Sequence, residues 1–194
     1  MRGLFAALGR YIAHDDPLTG ALNKVAMVLA SNTPFYPLYL WAVLGRDASP
    51  VILLTLCSFP FWAVMPAIAR RNGLAGRVFL TVVGTLNTIW CSVILGFDSG
   101  TALFLIPCIV LGTLGFHQRE RKLSLAISAL PFIAYGFLRI ANIAPLRLYD
   151  QAEYSSLITL NGFSVACLIG FLGLVFASAR PTPTTPLAPI RRES

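Results

Sequence analysis

The chain has 194 residues, 56% of them hydrophobic and only 12% charged, where an ordinary soluble domain carries about 25% charged residues. That composition excludes a water-soluble monomer, and at roughly 20 residues per crossing the length holds at most about seven membrane helices with no room for a sizeable soluble domain. The formal net charge of +7 points to nucleic acid only if the basic residues fail to sort along membrane edges, and they do sort.

Taken in chain order, residues 2–13 (RGLFAALGRYIA) place Leu4, Phe5, Leu8, Tyr11 and Ile12 on one helical face with Arg2 and Arg10 off it. This predicts a short interfacial helix within a 1–20 amphipathic segment. A cleaved leader is disfavoured, because Arg10 interrupts the apolar run and no small-residue cleavage site precedes Asp15. Six apolar stretches of 18 to 23 residues follow: Lys24 to Leu44, Pro50 to Ala69, Gly76 to Gly96, Ser99 to Phe116, Leu123 to Ile140 and Ser155 to Ala177. The expected fold is an all-α integral membrane protein, a six-transmembrane-helix bundle over 21–178 with short connections between antiparallel neighbours. With a cytoplasmic N-terminus, twelve of the Lys and Arg residues fall inside and three (Arg46, Arg139 and Arg147) outside, which places both termini in the cytoplasm. Topology thus accounts for the charge without nucleic acid, leaves anionic headgroups as the natural neighbours of the basic edge, and suits a bacterial inner membrane. The last segment, 179–194, carries prolines at 181, 183, 186 and 189 and is expected to be an extended tail.

Catalytic chemistry finds few parts. Cys57, Cys91, Cys108 and Cys167 lie in four different stretches without a CxxC pair, and His14 and His117 sit at the basic edge. No metal or cofactor site and no enzyme are expected. The spans instead hold neutral amides: Asn32 in SNTPFYP, Asn87 in GTLNTIWC and Asn161 in TLNGFS. An unpaired amide in hydrocarbon costs several kcal/mol, so all three should face the bundle interior, either as interhelical glue or around a polar cavity. Trp90, Tyr36, Tyr39 and Tyr135 are candidate walls of such a ligand-binding pocket. Gly162, Ala166 and Gly170, spaced four apart, predict close helix packing by the last span, and the Thr- and Ser-rich third span should be the most enclosed. Pro34, Pro37, Pro60, Pro66, Pro107 and Pro131 predict kinks in the first, second, fourth and fifth spans.

The aromatic, proline-rich first span (NTPFYPLYLW) and the basic turn HQRERKLSL between the fourth and fifth resemble the six-helix membrane input domain of bacterial quorum-sensing hybrid histidine kinases and related adenylate cyclase membrane anchors, over about residues 20–178. The resemblance implies sensing of a small, fairly apolar signal and a movement passed through the last helix to a catalytic domain. Here only a 17-residue tail follows Ala177, so the output would lie on a separate protein partner. The expectation is a non-enzymatic sensory or receptor-like membrane module binding a small lipophilic ligand. An accessory subunit of a larger membrane complex and a small-solute transporter are the alternatives.

Overall fold

The structure, a computed structural model, describes residues 2–45, 50–141 and 143–179. Among them eight α-helices occur and no strand: α1 (Arg2–Ile12), α2 (Pro17–Asn32), α3 (Tyr36–Leu44), α4 (Phe59–Arg71), α5 (Gly73–Leu95), α6 (Leu105–Leu114), α7 (Arg121–Ala141) and α8 (Gln151–Ala179). Four continuous helical stretches are long and apolar enough to cross a membrane, namely Pro50–Arg71, α5, Gln118–Ala141 and α8. Among the described residues the fold is all-helical, with the long apolar helices of a membrane protein.

The other two apolar stretches are interrupted, and prolines sit at the interruptions. Pro34 and Pro37 supply no amide hydrogen to the carbonyls one turn back, so the chain passes through a 3₁₀ turn at Thr33–Phe35 between α2 and α3. The continuous stretch Pro50–Arg71 also changes type, being 3₁₀ over Pro50–Ser58 before Pro60, whereas Pro66 and Pro131 lie inside α4 and α7 without interrupting them. Before Pro107, Gly100 turns the chain at φ 78° and a 3₁₀ segment, Thr101–Phe104, leads into α6. That stretch is helical only over Thr101–Leu114, shorter than the 18 residues expected.

Capping explains the other boundaries. Asp16 accepts hydrogen bonds from the Leu18 and Thr19 amides with Pro17 at the first helical position, so α2 begins at Pro17 rather than Lys24, and the 1–20 segment divides there. Asn72 alone separates α4 from α5 and caps the latter through the Ala75 amide. Of the apolar face expected on α1, the Leu4 and Phe5 side chains lie outside the described part of the structure. Tyr11 docks the helix, donating to the Ala63 carbonyl at 2.7 Å beneath the Arg70 guanidinium. The tail from 180 onward also lies outside the described residues.

As the hydroxyl pattern predicts, α5 is the most enclosed crossing candidate: half of its apolar window is buried, against 33, 28 and 17% in the other three. Close backbone approach occurs at Gly76, where a Cβ would stand 2.6 Å from that of Ala69 on α4, and at Gly112, where it would stand 2.6 Å from the Ser128 hydroxyl on α7. The expected packing stripe of α8 is a correction. Nothing lies within 4 Å of a Cβ built at Gly162 or Gly170, and Ala166 is exposed. The buried face of α8 is instead Leu157, Asn161, Val165, Leu172 and Phe176, which rotates the small residues outward.

Candidate functional site

The three 3₁₀-to-α transitions converge. Thr33 and Tyr36 flank the first, Thr55 and Ser58 the second, Thr101 and Phe104 the third, and all six line one cavity of about 110 Å³ closed by α5 through Gly84, Asn87, Thr88 and Cys91. This is the scale of the about 150 Å³ engineered cavity that admits benzene. Broken helices at membrane depth are tolerated where they line such a space.

The hydroxyls around the cavity donate locally. Thr33 bonds the Leu29 carbonyl, Thr55 that of Ile52, Ser58 that of Thr55 and Thr88 that of Gly84. Their oxygens keep acceptor capacity but their hydrogens are spent. The amides behave differently. Asn87 is half-buried, and its Oδ1 faces the Cys91 thiol at 3.8 Å. Asn32, expected to face the bundle interior, is instead exposed at the rim. Among the described residues neither amide nitrogen donates to a protein group, so the cavity offers two unspent donors.

Four of the expected site residues stand elsewhere. Asn161 is fully buried but outside the cavity, with its amide consumed: Oδ1 accepts from the Tyr36 hydroxyl at 2.8 Å and Nδ2 donates to the Ser99 carbonyl at 2.9 Å. It is interhelical glue, tying α8 to α3 and to the turn after α5. Tyr135 is half-exposed and packs on Phe97 at 5.8 Å, because α7 turns Ile127, Ser128, Pro131, Ala134 and Leu138 inward instead. Trp90 lines a neighbouring surface groove, its indole nitrogen donating to the Leu54 carbonyl at 3.0 Å. Tyr39 is exposed and off the cavity.

About ten residues along α5 from Asn87, or roughly 15 Å, lies a cluster that residue spacing does not signal. Arg77 is 4% exposed. Its Nη1 donates to Asp16 at 2.7 Å and to the Thr19 hydroxyl at 2.9 Å, and its Nη2 donates to Glu120. His117 Nε2 stands 3.2 Å from the second Asp16 oxygen, and Glu120 also accepts from the His117 amide. In the sequence Arg77 counts only as one more basic residue at a membrane edge. Its burial between two carboxylates from distant segments is invisible there. Between this cluster and the cavity lies a dry layer that includes Leu22, Val25, Ala26, Met65 and Leu80.

Burial pushes the Asp16 carboxyl up, but the Thr19 hydroxyl, His117 and the Leu18 amide outweigh it and hold the group at about 2, below its ordinary 3.8. The Arg77 guanidinium acts in the same direction. A depressed folded-state value means the contribution is fully present above about pH 4 and is lost as pH falls through about 2. Acid denaturation of the solubilised protein should therefore steepen between those values, and Asp16→Asn should remove that part of the dependence. An unchanged acid limb in Asp16→Asn would count against the assignment.

No family model matches the chain, and no solved structure matches it. Two curated relatives do: the threonine/serine transporters TdcC of Edwardsiella piscicida and Edwardsiella tarda, each 26% identical over 95 residues. The match covers 46% of this chain and 21% of the transporters. The chain thus spans about a fifth of the length of the curated relatives it matches.

Proposed function

We propose that the chain is a non-enzymatic, multi-pass membrane module that binds a small uncharged ligand in the cavity beside Asn32 and Asn87. The observation that carries this is the pair of unspent amide donors, Asn87 on the wall and Asn32 at the rim of a largely apolar space on which three 3₁₀-to-α transitions converge. Such a site binds by hydrogen bonding and burial and holds no nucleophile with a base, so binding rather than turnover is its chemistry. Sensing, with output on a separate protein, is the use suggested by the resemblance to six-helix input domains. Transport is the second use, favoured by the convergence of broken helices. The partial likeness to threonine/serine transporters bears on transport as a process and not on the ligand, because no charged side chain among the described residues lines the cavity to hold a zwitterion.

In the bilayer we place six crossings, α2 to α3 and Thr101–Leu114 completing the four longer ones, with both termini cytoplasmic in a bacterial inner membrane. The twelve-to-three distribution of Lys and Arg supports this orientation. In a cysteine-free background, single cysteines at positions 49 and 151 should label from outside, and ones replacing Asn72 and Gln118 should not. Outside labelling at position 72 would invert the arrangement.

Trp62 lines the cavity and is 4% exposed, which makes it the reporter of binding. With Trp41 and Trp90 replaced by Phe, 4-bromo-1-butanol, an uncharged amphipathic heavy-atom quencher, should quench Trp62 saturably in liposomes. Quenching that rises linearly with concentration is collisional and would remove the site.

A further inference from the structure

We propose that the cavity is filled from the lipid phase, through a groove between Pro50–Arg71 and α5, and that its ligand is accordingly an uncharged lipophile with one small hydrogen-bonding head. The inference rests on the binding site assigned above and adds its entry route and its ligand class.

The groove, about 210 Å³, has Cys57 and Phe61 on one wall and Leu86 and Trp90 on the other, and it meets the cavity at Ser58 and Asn87, which line both. Leu86 and Phe61 are 58 and 49% exposed. Both walls belong to stretches long and apolar enough to cross the membrane, and Leu86 and Asn87 lie within about 5 Å of the middle of α5 along its axis. The groove therefore opens at hydrocarbon depth. The Trp90 indole is anchored to the Leu54 carbonyl, which steadies the wall and leaves its donor unavailable to a ligand.

Along the helix axes the cavity is closed at both ends. Toward Arg77 stands the dry layer of Leu22, Val25, Met65 and Leu80, backed by the buried ion pairs. Toward the other end stands the Tyr36–Asn161–Ser99 network, followed by a second dry cluster that includes Leu40, Ile94, Leu95 and Leu157. Entry along the helix axes would have to pass one of these layers, whereas the groove reaches the cavity wall directly at Ser58 and Asn87. A charged or zwitterionic molecule would lose its hydration in the groove without a partner there, a cost of many kcal/mol. An uncharged lipophile is already in the bilayer, so it meets no such barrier, and its head group finds the Asn87 amide at the threshold.

The test uses Cys57→Phe/Leu86→Phe in the Trp41→Phe/Trp90→Phe protein, reconstituted in phosphatidylcholine liposomes, with 4-bromo-1-butanol as probe and Trp62 as reporter. Both added rings stand at exposed positions outside the cavity, so the site itself is unaltered. We expect association and dissociation of the probe to slow together by at least tenfold, with Kd within twofold of the parent. Unchanged rates at unchanged Kd would overturn entry through this groove while leaving the site intact. An absence of saturable quenching in the parent would overturn the site and the route with it.

Discussion

Arg77→Met should lower the stability of the solubilised protein by about 3 kcal/mol, the lower end of the loss expected when one partner of a buried ion pair is removed. The substitution keeps most of the apolar stem but strips Asp16 and Glu120 of the guanidinium that bridges them. Those carboxylates are only 23 and 12% exposed, so each is left partly desolvated and unneutralised. Asp16 retains Thr19, His117 and two backbone amides, which is why the smaller loss is expected. Arg77→Lys should fall between wild type and Arg77→Met, because one ammonium cannot reproduce a planar fork that reaches both acids. Adding Asp16→Asn and Glu120→Gln to Arg77→Met should restore much of the loss, since the cost lies in the stranded charges. Thermal unfolding in mild detergent checks all three, and an Arg77→Met midpoint equal to wild type would show that the cluster contributes nothing.

Asn161→Leu and Asn87→Leu should have opposite effects. In Asn161→Leu the Tyr36 hydroxyl loses its acceptor and the buried Ser99 carbonyl its donor, and each orphaned group costs about 1–3 kcal/mol. We expect a loss of roughly 2–3 kcal/mol, with the affinity of any protein that remains folded falling far less than in Asn87→Leu, because Asn161 itself does not line the cavity and only its partner Tyr36 does. Asn87→Leu removes no protein partner beyond a long contact with the Cys91 thiol, so stability should change by under about 1 kcal/mol. Its amide is instead what the ligand's head group would meet, and one lost hydrogen bond of about 1.4 kcal/mol is a tenfold loss of affinity. Saturable quenching of Trp62 by 4-bromo-1-butanol should weaken at least tenfold in Asn87→Leu. Strong destabilisation of Asn87→Leu with retained binding would make it glue and remove its role in the site.

Much of this protein is legible from residue type alone. A chain with so few charges and such long apolar runs must bury its backbone polar groups in helices within hydrocarbon, so the all-helical membrane class follows from composition. Every proline lacks the amide hydrogen, so the changes of helix type near Pro34, Pro37, Pro60 and Pro107 are foreshadowed by residue type. Pro66 and Pro131 nevertheless lie inside continuous helices, so the sequence marks where a break is permitted and not where one occurs. The hydroxyl-rich third span likewise announces its own burial.

What tertiary structure decided is which way each side chain faces and what it meets. Three asparagines look alike in the sequence, yet the rotation of α8 spends the Asn161 amide on Tyr36 and Ser99, while that of α5 leaves Asn87 facing a cavity. Gly162, Ala166 and Gly170 have the spacing of a packing stripe, but close contact falls to Gly76 and Gly112, because a four-residue repeat specifies a helix face and not the neighbour opposite it. Arg77 counts as an edge charge until Asp16, from 61 residues earlier, and Glu120, from 43 residues later, close on it. Helix formation depends on contacts within about four residues of each position, whereas helix rotation and partner choice are settled by packing between segments tens of residues apart, a quantity the order of residues along one helix does not contain.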